Sequence, residues 1–185
     1  MKQKRVITED FFIGNLGTPE ATQEIIKSCP EFLNYKEAKV GHELVPNHIS
    51  RKCLTSWLDV KQSNFIEIGL KKIINNVNDM IWKFDVKNEW SSNIQFTKYS
   101  AGGDHYGWHI DNFQGDCSDR RLSIVYCLSK KSDYTGGSFQ IRKSDKSVYT
   151  TKFDYGDFIV FPSDKYHRVL PLKTGNRLTM VGWFR

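Results

Sequence analysis

Four residues have the types and spacing to do chemistry together: His109, Asp111, His167 and Arg177. His109 and Asp111 stand two apart in YGWHID, residues 106–111, a run that reads as a β-strand. Side chains alternate across a strand, so the imidazole and the carboxylate would share one face, with Trp108 and Ile110 on the other. His167 follows 56 residues after Asp111, in FPSDKYHRVLPL. Two imidazoles and one carboxylate on one side of a metal ion, with the other positions open, suit iron(II) that must also bind further ligands. Zinc with three protein ligands is the other metal such a set accepts. The plainer reading of the hexapeptide alone is a half-buried strand with its polar face in water.

Arg177 stands ten residues past His167, in KTGNRLTMVGW. If it faces inward, period two places Thr179, Val181 and Trp183 beside it. A guanidinium inside a barrel demands an anion, because an unpaired buried charge is costly. A ligand carboxylate gripped in a bidentate fork would satisfy it. Gly175-Asn176 also reads as a turn, which would leave Arg177 on the surface of a hairpin.

These residues need a scaffold that brings separate strands to one point. From about Asn93 onward, short alternating runs follow one another between clusters of Gly, Asp, Ser and Pro: NIQFTKYS, YGWHID, RLSIVYCL, GSFQIR, VYTTKF, GDFIVFP, YHRVLPL and RLTMVGWF. Eight such runs predict a mainly β fold with a double-stranded β-helix, or jelly-roll, core. Supporting α-helices precede it. TPEATQEIIKSCP, residues 18–30, has a capping Thr18, Pro19 at the first helical position and Pro30 as a stop. A second helix is expected from about Ser63 to Phe84, where Phe65, Ile66, Ile68, Leu70, Ile73, Ile74, Val77, Ile81 and Trp82 recur at helical spacing and would pack on a sheet. No linker or repeat divides the chain. The expectation is one domain over 1–185, with 1–92 as helical support and 93–185 as the core that carries the site.

Composition narrows the partners. The chain has 185 residues and a net charge of +6. Its lysines are scattered, and no block of five like charges marks a nucleic-acid or membrane tail. A solvated surface is the favoured reading, and a small dianionic ligand also suits a positive field. No apolar run approaches the ~18 residues of a membrane span, and MKQKRVITEDFF lacks the apolar stretch of a secretion signal. The expected location is cytoplasmic, or the host cytoplasm for a viral chain. Cys29, Cys53, Cys117 and Cys127 form no CxxC, so free thiols are expected. Cys127, in LSIVYCL, reads as a small core residue.

His109-x-Asp111, His167 and Arg177 resemble the signature of the Fe(II)/2-oxoglutarate-dependent dioxygenases, and most closely the prolyl 4-hydroxylase-like group with its PKHD-type hydroxylases. QFTKYSAGGDHYGWHID, RLSIVYCLSKKSDYTGGSFQI, YGDFIVFPSDKYHRVLPLKTGNR and MVGWF carry the resemblance, over residues 94–184. It implies that His109, Asp111 and His167 hold Fe(II), and that Arg177 pairs with the distal carboxylate of 2-oxoglutarate. It also implies that Tyr99 hydrogen-bonds this co-substrate, with Thr179 beside it. Alternation puts Gln95, Thr97 and Tyr99 on the pocket face. The implied reaction uses O2, optionally with ascorbate. It hydroxylates a prolyl residue in a peptide or protein, while 2-oxoglutarate loses CO2 to become succinate. Alternatives are the same chemistry on a free amino acid or on a nucleic-acid base, as in the AlkB-like group, or a non-catalytic jelly-roll binding module. Trp183 stands where AlkB-like enzymes place a second arginine. The chain also departs from the animal-type pattern. Cys127 replaces the tyrosine before the leucine, and Tyr126, one residue earlier, is turned to the other face. His105 reads as a loop residue at the mouth, not a ligand. Asp104, Trp108 and Asn112 read as rim residues, and Arg51 as one within reach of the mouth.

Overall fold

The computed structural model describes residues 5–16, 20, 22–23, 34–39, 47–59, 64–113 and 115–185. Among these, fourteen strands form two antiparallel sheets. The larger contains β1 (Val6–Ile7), β2 (Phe12–Asn15), β3 (Lys36–Glu37), β5 (Leu54–Leu58), β6 (Ile94–Ser100), β8 (Leu122–Cys127), β12 (Asp157–Pro162) and β14 (Leu172–Phe184). Its order is β1-β2-β12-β8-β14-β6-β5-β3, with β9 (Tyr134–Gly136) pairing to the start of β14. The smaller sheet runs β11 (Val148–Thr150), β10 (Phe139–Arg142), β13 (His167–Val169), β7 (His105–His109), β4 (Arg51–Lys52). The two sheets make a mainly β jelly-roll core, as the strand runs predict.

Two apolar layers explain the sequence of the central strands. Ile124 and Tyr126 of β8, Phe158 and Val160 of β12, and Phe96 of β6 join the core under helix α1 (Asn64–Ile81). Val125 and Cys127, Ile159 and Phe161 face the other way and pack with Phe139, Ile141 and Val169 of the small sheet. Strands covered on both faces read as continuous apolar runs, and β8 and β12 are buried throughout. Each fully buried Ile or Phe contributes about 1.5–3 kcal/mol.

Helix α1 buries Ile66, Leu70, Ile74 and Val77 on the large sheet. Ile68 instead faces solvent and is 63% exposed. The helix stops earlier than Phe84 because Lys83 takes a left-handed φ of 55°. Its N–H donates to the Asn78 carbonyl, and the Asn78 side chain bonds both the N–H and the carbonyl of Phe84. That is a C-cap built without glycine, so the sequence gives no stop signal there. No helix among the described residues is long and apolar enough to cross a membrane.

The helix expected over 18–30 lies largely outside the described residues; Glu20, Thr22 and Gln23 are helical. The segment 1–92 also contributes five strands, β1 to β5, which the reading as a helical support omits. Cys53, Cys117 and Cys127 are free thiols, and Cys29 lies outside the described residues. Gly175, read as a turn residue, lies inside β14. Its φ is 74°, and a Cβ there would collide with the Asp133 carbonyl. The close approach of β9, not a hairpin, requires glycine here.

Candidate active site

His109 and His167 sit directly opposite each other across β7 and β13. Strand β7 ends at His109, so Asp111 does not share its face by alternation. The turn after β7 delivers it, through Asp111 N–H donating to the Ser163 carbonyl at 2.8 Å. One ligand atom from each of the three residues lies within 4.8 Å of the others. The Asp111 oxygens are 3.8 Å from His109 Nε2 and 3.5 Å from His167 Nε2.

The surroundings prepare these atoms as ligands. His109 Nδ1 is 2.8 Å from the Gly107 carbonyl, and His167 Nδ1 is 2.9 Å from the Lys165 carbonyl. A carbonyl only accepts, so each Nδ1 carries the proton and each Nε2 presents a lone pair. Ser123 Oγ donates to Asp111 Oδ2 at 2.7 Å and is itself 2.9 Å from Ser163 Oγ. Burial, followed by the neighbouring His167, pushes the His109 pKa down to about 3. Burial alone would raise the Asp111 carboxyl; His167, His109 and Ser123 outweigh it and keep the carboxyl below its ordinary range. Two imidazoles and a carboxylate are the donor set of a divalent transition ion, and these residues fit one.

The cluster opens into a cavity of about 830 Å³. Gln95, Thr97 and Tyr99 of β6 line it, as do Arg177, Thr179, Val181 and Trp183 of β14, the two faces that alternation assigns. Arg177 is 1% exposed, and none of its three guanidinium nitrogens has a hydrogen-bond partner. The surface reading of Arg177 is therefore overturned. Its guanidinium carbon lies 5.4 Å from the Tyr99 ring centroid. Tyr126 faces away, into the helix-side core, where its hydroxyl is 2.6 Å from Thr22 Oγ1. Cys127 belongs to the inner core, where burial raises the thiol despite Arg177.

Two lining residues lack a clear sequence signal. Across β13 and β7 the register slips from His167↔His109 to Val169↔Tyr106, a bulge at Gly107–Trp108. It turns Tyr106 to the same side as His109, and the two rings stack at 3.5 Å. Arg51 is 7% exposed and lies over Tyr106, with its NH2 donating to Gln95 Oε1 at 2.8 Å. Trp108 lines the cavity as expected. Asp104 and Asn112 do not: Asp104 accepts the Ser100 N–H, and Asn112 donates to the Arg120 carbonyl. His105 is no loop residue; it opens β7, and its ring lies against the Gly103 and Ile49 carbonyls.

Comparison with known proteins agrees with this geometry. Residues 94–185 match the family model of the 2OG-Fe(II) oxygenase superfamily. A PKHD-type hydroxylase of Prochlorococcus marinus (strain NATL2A) is 30% identical over 172 residues, 92% of this chain and 75% of that protein. A PKHD-type hydroxylase of Synechococcus sp. (strain CC9902) is 41% identical over 86 residues, 45% of this chain but only 37% of that protein. A Pseudomonas putida prolyl-4-hydroxylase structure superposes with a TM-score of 0.75 at 19% identity, covering 96% of this chain and 93% of that one. A Trichoplax adhaerens prolyl hydroxylase, solved with a peptide fragment of the hypoxia inducible factor oxygen degradation domain, gives 0.77 at 17% identity over 96% and 84%. At such identities the two structures speak for the fold. The family works with Fe(II), 2-oxoglutarate and O2. With its His-Asp-His cluster and its relatives, the chain belongs to the 2OG-Fe(II) oxygenase superfamily, as a 2-oxoglutarate-dependent dioxygenase similar to the PKHD-type hydroxylases, on a fold it shares with prolyl hydroxylases.

Proposed function

We propose that this dioxygenase hydroxylates a prolyl residue in a peptide or protein, coupled to decarboxylation of 2-oxoglutarate to succinate and CO2. The observation that carries the reading is the cavity itself: the His109–Asp111–His167 cluster and the unpartnered Arg177 open into one space. The peptide substrate is supported by the PKHD-type hydroxylase relatives and by a structural neighbour solved with a peptide.

In this reading His109 Nε2, His167 Nε2 and an Asp111 oxygen hold Fe(II). Bound iron supplies oxygen activation, chemistry that no side chain of the pocket provides. The protein does the rest. Asp111 offsets one of the two positive charges, and Ser123 holds the carboxylate in place. The Gly107 and Lys165 carbonyls keep the imidazoles in the ligating tautomer. Arg177 fixes the distal carboxylate of 2-oxoglutarate, with the Tyr99 and Thr179 hydroxyls beside it. Val125, Val181 and Phe139 on the cavity wall keep water away from the reacting end.

Succinate release tests this directly. Protein loaded anaerobically with Fe(II) and 2-oxoglutarate is exposed to air, with and without proline-containing peptides. Peptide-stimulated release is expected, reduced by at least roughly 1000-fold in His109→Ala. Release that no peptide stimulates would sink the prolyl substrate. Undiminished turnover in His109→Ala would sink the metal site.

A further inference from the structure

Three arginines lie against aromatic side chains that line the cavity: Arg120 lines it too, whereas Arg142 and Arg168 stand behind Trp108, outside the lining. Arg142 of β10 and Arg168 of β13 both lie against Trp108, with guanidinium carbons 5.1 and 4.5 Å from its ring centroid. Arg142 is also 5.5 Å from the Tyr166 ring centroid. Arg120 covers Trp183 at 4.0 Å, and its buried Nε has no hydrogen-bond partner. Trp108, Tyr166, Trp183 and Arg120 all line the cavity. Among the described residues no carboxylate pairs with any of the three arginines. The ion pairs lie elsewhere, as in Lys165–Asp10, Lys143–Asp145 and Arg185–Asp119. Arg168 Nε is held by Gln140 Oε1 at 2.7 Å, which fixes the guanidinium and leaves the rest of its fork for another acceptor. Two cations on one ring repel each other, so the arrangement favours an anion that bridges them.

We propose that the mouth reads carboxylates: the substrate is a peptide segment in which aspartate or glutamate flanks the target proline. Arg142 and Arg168, beyond Trp108 and outside the cavity lining, take the flanking residue on one side, and Arg120 on Trp183 takes the other. The inference rests on the peptide reading above and narrows it. Nucleic acid would also bring negative charge, but base stacking needs open ring faces. Here guanidinium groups already cover Trp108 and Trp183. A carboxylate, by contrast, fits a guanidinium fork in bidentate geometry.

Fluorescence anisotropy on the anaerobic protein loaded with Fe(II) and 2-oxoglutarate tests the proposal. The probes are short labelled peptides with proline between Glu and Asp, between Gln and Asn, or between lysines, and the acidic peptide with Ala for Pro. The acidic peptide is expected to bind roughly tenfold tighter than the neutral one at low salt, with the margin shrinking as salt rises. In the double variant Arg142→Glu/Arg168→Glu the preference should pass to the lysine peptide, a gain that misfolded protein cannot show. Equal binding of acidic and neutral peptides would overturn the proposal. So would displacement of the acidic peptide by a single-stranded oligonucleotide at lower concentration than by unlabelled peptide. An acidic preference that is indifferent to Pro→Ala would uphold the carboxylate reading and sink the prolyl one.

Discussion

Two buried charges in this protein have opposite surroundings. Asp10, 4% exposed, is fully answered from within the chain. Its Oδ1 accepts from Lys165 Nζ at 2.6 Å, from Ser144 N at 3.0 Å and from Ser144 Oγ at 2.5 Å. Arg177, 1% exposed, lies against the Tyr99 ring and is paired with no carboxylate among the described residues. A charge paired internally holds the fold together, and one left unpaired in a cavity marks where a ligand brings the counter-charge. Asp10 also connects to the His-Asp-His cluster. The Lys165 carbonyl that bonds His167 Nδ1 belongs to the residue whose ammonium Asp10 anchors.

Breaking each charge should therefore give opposite results. Arg177→Met is expected to raise the 2-oxoglutarate requirement roughly 100-fold, while making the ligand-free protein about 1–2 kcal/mol more stable in thermal melts. A destabilised, catalytically normal Arg177→Met would erase the distinction. Asp10→Asn should cost about 2 kcal/mol at neutral pH. Burial alone would raise the Asp10 carboxyl, but Lys165 and Ser144 pull it below its ordinary value of 3.8. The stabilisation is therefore fully present above that pH and is lost as pH falls through the lower, folded value. The stability gap between wild type and Asp10→Asn should close in acid, as denaturant melts across pH 2–7 would show. Ser144→Ala removes one of the hydrogen bonds to Asp10 and should cost the least, about 1 kcal/mol in the same melts.

The sequence exposes the parts of the site that follow simple periods. Gln95, Thr97 and Tyr99, and Arg177, Thr179, Val181 and Trp183, share the cavity because β6 and β14 alternate without interruption. Tyr106 escapes because the bulge at Gly107–Trp108 breaks the period of two; the isolated Gly107 inside the run is the local mark of it that simple alternation overlooks. Asp111 reaches the cluster by a turn because β7 ends at His109. The strands β1, β3 and β4 are two residues long, too short for any periodicity, and they exist only by pairing with distant partners. Arg51, on one of them, becomes a wall residue through a contact with Gln95 that is 44 residues away. The left-handed Lys83 likewise ends α1 with no glycine to signal it.

The most direct test is calorimetry on anaerobic, Fe(II)-loaded protein with 2-oxoglutarate and with 2-oxopentanoate, which lacks the distal carboxylate. The expected result is a preference for 2-oxoglutarate of roughly 100-fold in the wild type, absent in Arg177→Met. A preference that survives the substitution would mean that the unpaired guanidinium is not where the co-substrate is held, and the assignment of this cavity would fail.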